Sequence, residues 1–90
     1  MSFEWSEEKR LANLSKHGVD FEWAALVFAG PVLVVENVRQ DYGERRFRAL
    51  GEVDGALYIV VYTRRGGRTR LISAWKAGRK DRERYQERNA

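Results

Sequence analysis

The apolar positions change their period once along the chain. Ser6 can cap a helix in which Leu11, Leu14 and Trp5 fall near one stripe, and Glu7 and Glu8 occupy the first turn, where the helix dipole favours carboxylates. Gly18 is placed to end it, with Lys16 and His17 beside the free carbonyls. Asp20 reads as a second cap, and Phe21, Ala24, Ala25 and Phe28 recur at helical spacing until Gly30-Pro31 breaks the pattern. The turn between the two helices is short, so they should pack as a pair, with Trp5, Trp23 and Phe28 in the core.

From Val32 the spacing is that of strands. The run Val32 to Val35 is β-branched, the stretch Arg39 to Gly43 reads as a turn, and Arg45 to Val53 forms a second strand. Asp54-Gly55 is the strongest hairpin signal, because both positions of a tight primed turn tolerate positive φ. The third strand, Ala56 to Thr63, is almost wholly apolar and so should be central, covered on both faces. After Gly66-Gly67 the fourth strand, Arg68 to Lys76, alternates Arg68, Arg70, Ile72 and Ala74 with Thr69, Leu71, Ser73 and Trp75. Arg79 to Arg88 forms a last helix with little apolar content beyond Tyr85, so it docks weakly or orders against a partner. The predicted fold is α+β: two N-terminal helices packed on a four-stranded antiparallel sheet, with a short C-terminal helix, in one domain over residues 1–90.

Composition narrows the function. With 43% hydrophobic residues the chain can build a core, and without cysteine it has no disulfide, thiolate chemistry or Cys-based zinc site. No apolar stretch approaches the roughly 20 residues that span a bilayer, and a signal-peptide pattern is absent, so a cytoplasmic location without membrane contact is expected. The net charge of +4 is unevenly spread. Residues 1–44 carry four Lys/Arg against eight Asp/Glu, net −4, while residues 45–90 carry thirteen against five, net +8. A cluster of arginine on strands suits a polyanion.

Several segments together resemble the BrnT toxins. They are Phe3-Glu4-Trp5, Asn13-Leu14-x-Lys16-His17-Gly18-Val19-x-Phe21, the helix Ala24 to Phe28, Tyr42-Gly43-Glu44-x-Arg46-Phe47, Leu50-Gly51, Tyr62-Thr63-x-Arg65 and Arg70-x-Ile72-Ser73-Ala74. The resemblance runs over almost the whole chain, in order and spacing. It implies a RelE-like fold, RNA cleavage that arrests growth, neutralisation by a BrnA-like antitoxin, and contact with operator DNA only through that antitoxin. Two positions depart from the pattern: Trp75 stands where an arginine is expected, and Gly78 where a Thr or Ser caps the last helix.

RNA cleavage without a metal needs a base for the 2′-hydroxyl, an acid for the leaving oxygen and cations for the phosphorane. No cofactor is expected, and no set of Asp, Glu and His has metal-ligand spacing. Residues two apart on a strand share a face, so Arg46 with Arg48, and Arg68 with Arg70, can present paired guanidinium groups. Arg46, Arg70, His17 and Lys76 are the candidates for catalysis, and Arg48, Arg64, Arg65, Arg68, Ser73 and Tyr85 for RNA binding. Tyr62 could contact phosphate, Tyr85 or Trp75 could stack on a base, and Glu44 could be a base. Each also has a plainer reading: strand arginines discourage edge pairing, His17 suits a helix end, and buried aromatics build cores. A non-catalytic nucleic-acid-binding module using the same basic sheet is the alternative.

Overall fold

The computed structural model describes residues 1–37 and 43–89; Arg39 to Tyr42 of the expected turn lie outside them. The order is β1 (Phe3–Glu4), α1 (Glu7–His17), α2 (Phe21–Ala24), a 3-10 helix η1 (Ala25–Ala29), β2 (Val32–Asn37), β3 (Arg46–Val53), β4 (Ala56–Arg65), β5 (Arg68–Lys76) and α3 (Arg79–Asn89). The class is the expected α+β, but the sheet has five strands, in the order β1-β5-β4-β3-β2. The extra strand is β1, which pairs parallel to β5 through Phe3 with Thr69 and Glu4 with Arg70. Two residues are too few to show a period, and a strand of this kind exists only through its distant partner.

Local chemistry sets the element ends. The Ser6 hydroxyl accepts from the Lys9 N–H at 3.4 Å, and the Asp20 carboxylate accepts from the Glu22 N–H at 3.0 Å. Gly18 closes α1 in the left-handed region, at φ 69°, with its N–H donating to the Leu14 carbonyl. The second helix is α-helical for only four residues and then tightens into η1 before Gly30-Pro31. Asp54 and Gly55, at φ 51° and 83°, make the expected hairpin between β3 and β4.

Side chains alternate across the sheet, so the register assigns each to a face. One face carries Val53, Val60, Leu71 and Ala74, and packs under Val19, Phe21, Ala24, Ala25 and Val27 from α2, η1 and the turn before them. At Gly51 the layers come so close that a Cβ would meet the Val27 Cβ at 2.8 Å. On the other face, Leu50, Leu57 and Ile59 form a smaller core with Tyr85 of α3, whose hydroxyl donates to the Pro31 carbonyl at 3.0 Å. Tyr85 therefore fastens α3 to the sheet. Strand β4 is buried from Ile59 to Thr63, as a central strand should be.

The helix α1 lies along the edge of β5 and buries neither leucine of its expected stripe. Leu11 is 55% exposed and Leu14 39%; Trp23, expected in the core, is 41% exposed. What α1 buries is Asn13. Its Nδ2 donates to the carbonyls of Ala74 at 2.8 Å and Val19 at 2.9 Å, while its Oδ1 accepts from the Ala74 N–H at 3.1 Å and the Ser73 hydroxyl at 3.2 Å. One carboxamide thus pairs with both main-chain groups of Ala74, as a neighbouring strand would, where β1 no longer covers β5.

A bulge changes the phase of β5. Tyr62 faces Leu71 and Val61 faces Ser73, so Ile72 has no opposite residue. Leu71 and Ala74 then share the helix-covered core, and the alternation expected through the whole strand holds only up to Leu71. Beyond the bulge, Ser73 and Trp75 stand on the face that carries Arg68 and Arg70.

Candidate nucleic-acid interface

Five arginines share the sheet face turned away from α2 and η1. Alternation and register place Arg46 and Arg48 of β3, Arg65 of β4, and Arg68 and Arg70 of β5 there. Arg46 and Arg70 flank Thr63 on either side of β4, about 10 Å apart at the backbone, twice the spacing between strands. One row along the strands, Arg48 and Ser73 flank Val61. The strand that carries Arg46 and Arg48 is separated from the one that carries Arg68 and Arg70 by β4. Arg64 falls on the opposite face, donating to the Gly67 carbonyl at 3.3 Å, so it is set apart from the other five.

Two carboxylates reach into this field. Glu4 of β1 meets Arg70 at 2.7 Å and Arg68 at 3.8 Å, and Glu44 meets Arg65 at 3.2 Å and Arg46 at 3.3 Å. Hydrogen bonding from Arg65, followed by that from Arg46, holds the Glu44 carboxyl below the usual range, so it is a poor proton acceptor at neutral pH. Arg48 is different: its guanidinium lies over the Trp75 ring, 5.4 Å from the centroid, and among the described residues no carboxylate forms an ion pair with it.

At the border of this face, the C-terminal turn of α1 meets β5. His17 lies with its ring centroid 5.8 Å from that of Trp75, and Lys16, His17, Ser73, Trp75 and Lys76 line one shallow cleft. Thus His17 of α1 comes together with Ser73 and Lys76 of β5, with Arg48 adjacent across Trp75. His17 is exposed, and its place follows from the Gly18 cap and from Asn13, one turn earlier on the same helix, fixed to Ala74.

Two other candidates are not offered to a ligand. Tyr85 is 8% exposed and held in the smaller core, so its ring is unavailable for stacking on a base. Tyr62 is buried on the helix side, between Phe28 and Phe47, and burial pushes its phenol above the ordinary value of 10.0. The residues that sequence reasoning passed over are Glu4, as a partner of arginine, and Asn13. Among the described residues no group of three or more His, Asp or Glu side chains is placed to hold a metal ion.

The sequence profile of the family described as ribonuclease toxin, BrnT, of type II toxin-antitoxin system matches residues 5–81. The chain belongs to the BrnT family. This BrnT chain therefore comes from a family of ribonuclease toxins that act within type II toxin–antitoxin pairs, and an antitoxin partner follows from that membership. No curated protein matches this BrnT chain. None of the helices described in it is long and apolar enough to cross a membrane.

Proposed function

We propose that the chain is a metal-independent endoribonuclease of the cytoplasm, whose RNA lies across the arginine face and is cut at the cleft between α1 and β5. The observation that carries this reading is the convergence of His17, Lys76 and Ser73 beside Arg48, at the rim of a face that also bears Arg46 and Arg70. Arg46, Arg65, Arg68 and Arg70 bind successive phosphates of the backbone, and Arg48 with Lys76 stabilises charge on the phosphorane at the scissile position. His17 moves the proton of the 2′-hydroxyl or of the leaving 5′-oxygen, and Ser73 donates a hydrogen bond to a phosphate oxygen. Trp75 keeps the imidazole and the Arg48 guanidinium at fixed positions on its ring.

A BrnA-like antitoxin neutralises the toxin by covering this face, and operator DNA is reached only through the antitoxin. The test is incubation of the purified protein with single-stranded RNA in EDTA. Strand scission is expected, reduced about 10²-fold by Arg70→Ala and by about 10²–10⁴ by His17→Gln. RNA that binds but stays intact would convert the reading to that of a non-catalytic binding module. Full activity in His17→Gln would return that residue to its role at the helix end.

A further inference from the structure

Four of the five arginines on the candidate face are already engaged, and the engagement is symmetrical. Glu4 takes Arg68 and Arg70 on the β5 side, and Glu44 takes Arg46 and Arg65 on the β3 side. The two carboxylates come from different elements, the edge strand β1 and the segment before β3. Their side chains are about a quarter exposed, as are those of Arg46 and Arg70, so these contacts are partly shielded from water. Five guanidiniums against Glu4, Glu44 and Glu52, which alternation puts on the same face of β3, leave the strands of this face at +2, although no single clamp of two arginines and one glutamate exceeds +1.

We propose that Glu4 and Glu44 are built-in counter-ions that set the selectivity of this face, each holding two arginines in place and yielding them only to a chain that brings several phosphates at once. The inference rests on the RNA-binding reading above and deepens it. A lone phosphate arriving at either clamp meets one carboxylate already bonded to the same guanidiniums and gains little. A single-stranded polyphosphodiester reaches Arg48 first, the cation of this face without an acidic partner among the described residues, and then displaces the carboxylates on both flanks, releasing counter-ions at each step. The carboxylates also keep the guanidinium forks splayed on the sheet before RNA arrives, which limits the ordering cost of binding. Glu4 and Glu44 are thus positioning and selectivity residues; they touch no reacting atom.

The experiment compares Glu4→Gln, Glu44→Gln and, as a control, Glu36→Gln. Glu36 carries the same charge but pairs with Arg45 on the other sheet face. Binding of an uncleavable 2′-O-methyl RNA 12-mer is followed by anisotropy between 50 and 200 mM salt, beside binding of adenosine 5′-monophosphate. For Glu4→Gln and Glu44→Gln we expect 12-mer binding about 3- to 10-fold tighter at 50 mM salt, with the salt slope steeper by roughly 0.7 for each additional phosphate neutralised. Monophosphate binding should strengthen too, narrowing the preference for the 12-mer at the higher salt. Glu36→Gln should change 12-mer binding by less than about 2-fold, since its carboxylate is paired with Arg45 on the other side of the sheet and holds none of the five arginines. The two variants lie on separate elements, so either one with the wild-type melting temperature suffices. Unchanged or weaker 12-mer binding in it, or an equal increase in Glu36→Gln, overturns the proposal. Elution from immobilised heparin repeats the comparison without RNA. Later elution of both variants, with a wild-type protein that leaves RNA intact, would keep the clamps and remove the ribonuclease reading.

Discussion

Asn13→Ala removes the one side chain that closes the exposed stretch of β5. In the folded protein its carboxamide makes four hydrogen bonds, at 2.8, 2.9, 3.1 and 3.2 Å, and is 5% exposed. Truncation leaves the Ala74 N–H, the Ala74 carbonyl and the Val19 carbonyl without this partner, and a buried polar group left unsatisfied costs about 1–3 kcal/mol. Entry of water recovers part of that sum, so the expected loss is about 3–5 kcal/mol, a large share of the roughly 5–15 kcal/mol that holds a domain together. At about 4–8 °C per kcal/mol for a domain of this size, the melting temperature should fall by about 12–40 °C. Asn13→Asp retains the two acceptor bonds but sets a carboxylate oxygen against two carbonyls. It should be at least as damaging at pH 7 and milder below pH ~4, where a protonated carboxyl can again donate one bond. Urea denaturation gives the energy, and hydrogen exchange at the Ala74 amide reports the edge itself. A loss below about 1 kcal/mol with that amide still protected would show that something other than Asn13 holds the edge.

Three further outcomes follow from packing and charge. Gly51→Ala should destabilise by about 1–3 kcal/mol in the same urea assay, because the new methyl would lie 2.8 Å from the Val27 Cβ; a neutral effect would mean that η1 slides freely over β3. Thr69→Val should raise stability by about 1 kcal/mol, since the Thr69 hydroxyl is buried without a partner among the described residues; a loss would reveal a bond to that oxygen. The carboxyls of Glu7, Glu36 and Glu44 are held below the ordinary 4.5 mainly by hydrogen bonds from Arg10, Arg45 and Arg65. Lowered values stabilise the fold fully above pH ~4.5, and that contribution is lost as pH falls through them. Stability in low salt should therefore drop below pH ~4.5, and more gently in Glu44→Gln; identical slopes in the two proteins would deny the carboxylate its role.

The legible parts of this fold were those whose cause is local. Ser6, Asp20, Gly18 and Asp54-Gly55 act on neighbours within a few residues, and each marks an element end where sequence rules put it. The arginine face was legible as well, because Arg46 and Arg48, and Arg68 and Arg70, lie two apart on regular strand segments. The failures involve distant partners. β1 is defined by β5, the bulge at Ile72 by the pairing with β4, and the exposure of Leu11 and Leu14 by the position of α1 beside the sheet. A helical wheel marks Asn13 as polar and therefore outward, and nothing within its own helix reports that a strand edge waits for it. Nothing near Glu4 in the chain marks it as a partner of arginine, because its arginines lie more than sixty positions away.

The parallel pairing of β1 with β5 has a consequence for the order of folding. Its contact between Glu4 and Arg70 spans 66 residues, whereas the β3–β4 and β4–β5 hairpins close over short turns. Closing the longer loop carries the greater entropic cost, and so few residues repay it that the hairpins should assemble first and the edge strand dock last. Until it docks, Arg68 and Arg70 stand without Glu4. The half-folded chain is then a less discriminating polycation than the finished one, and final docking is the step that restrains it.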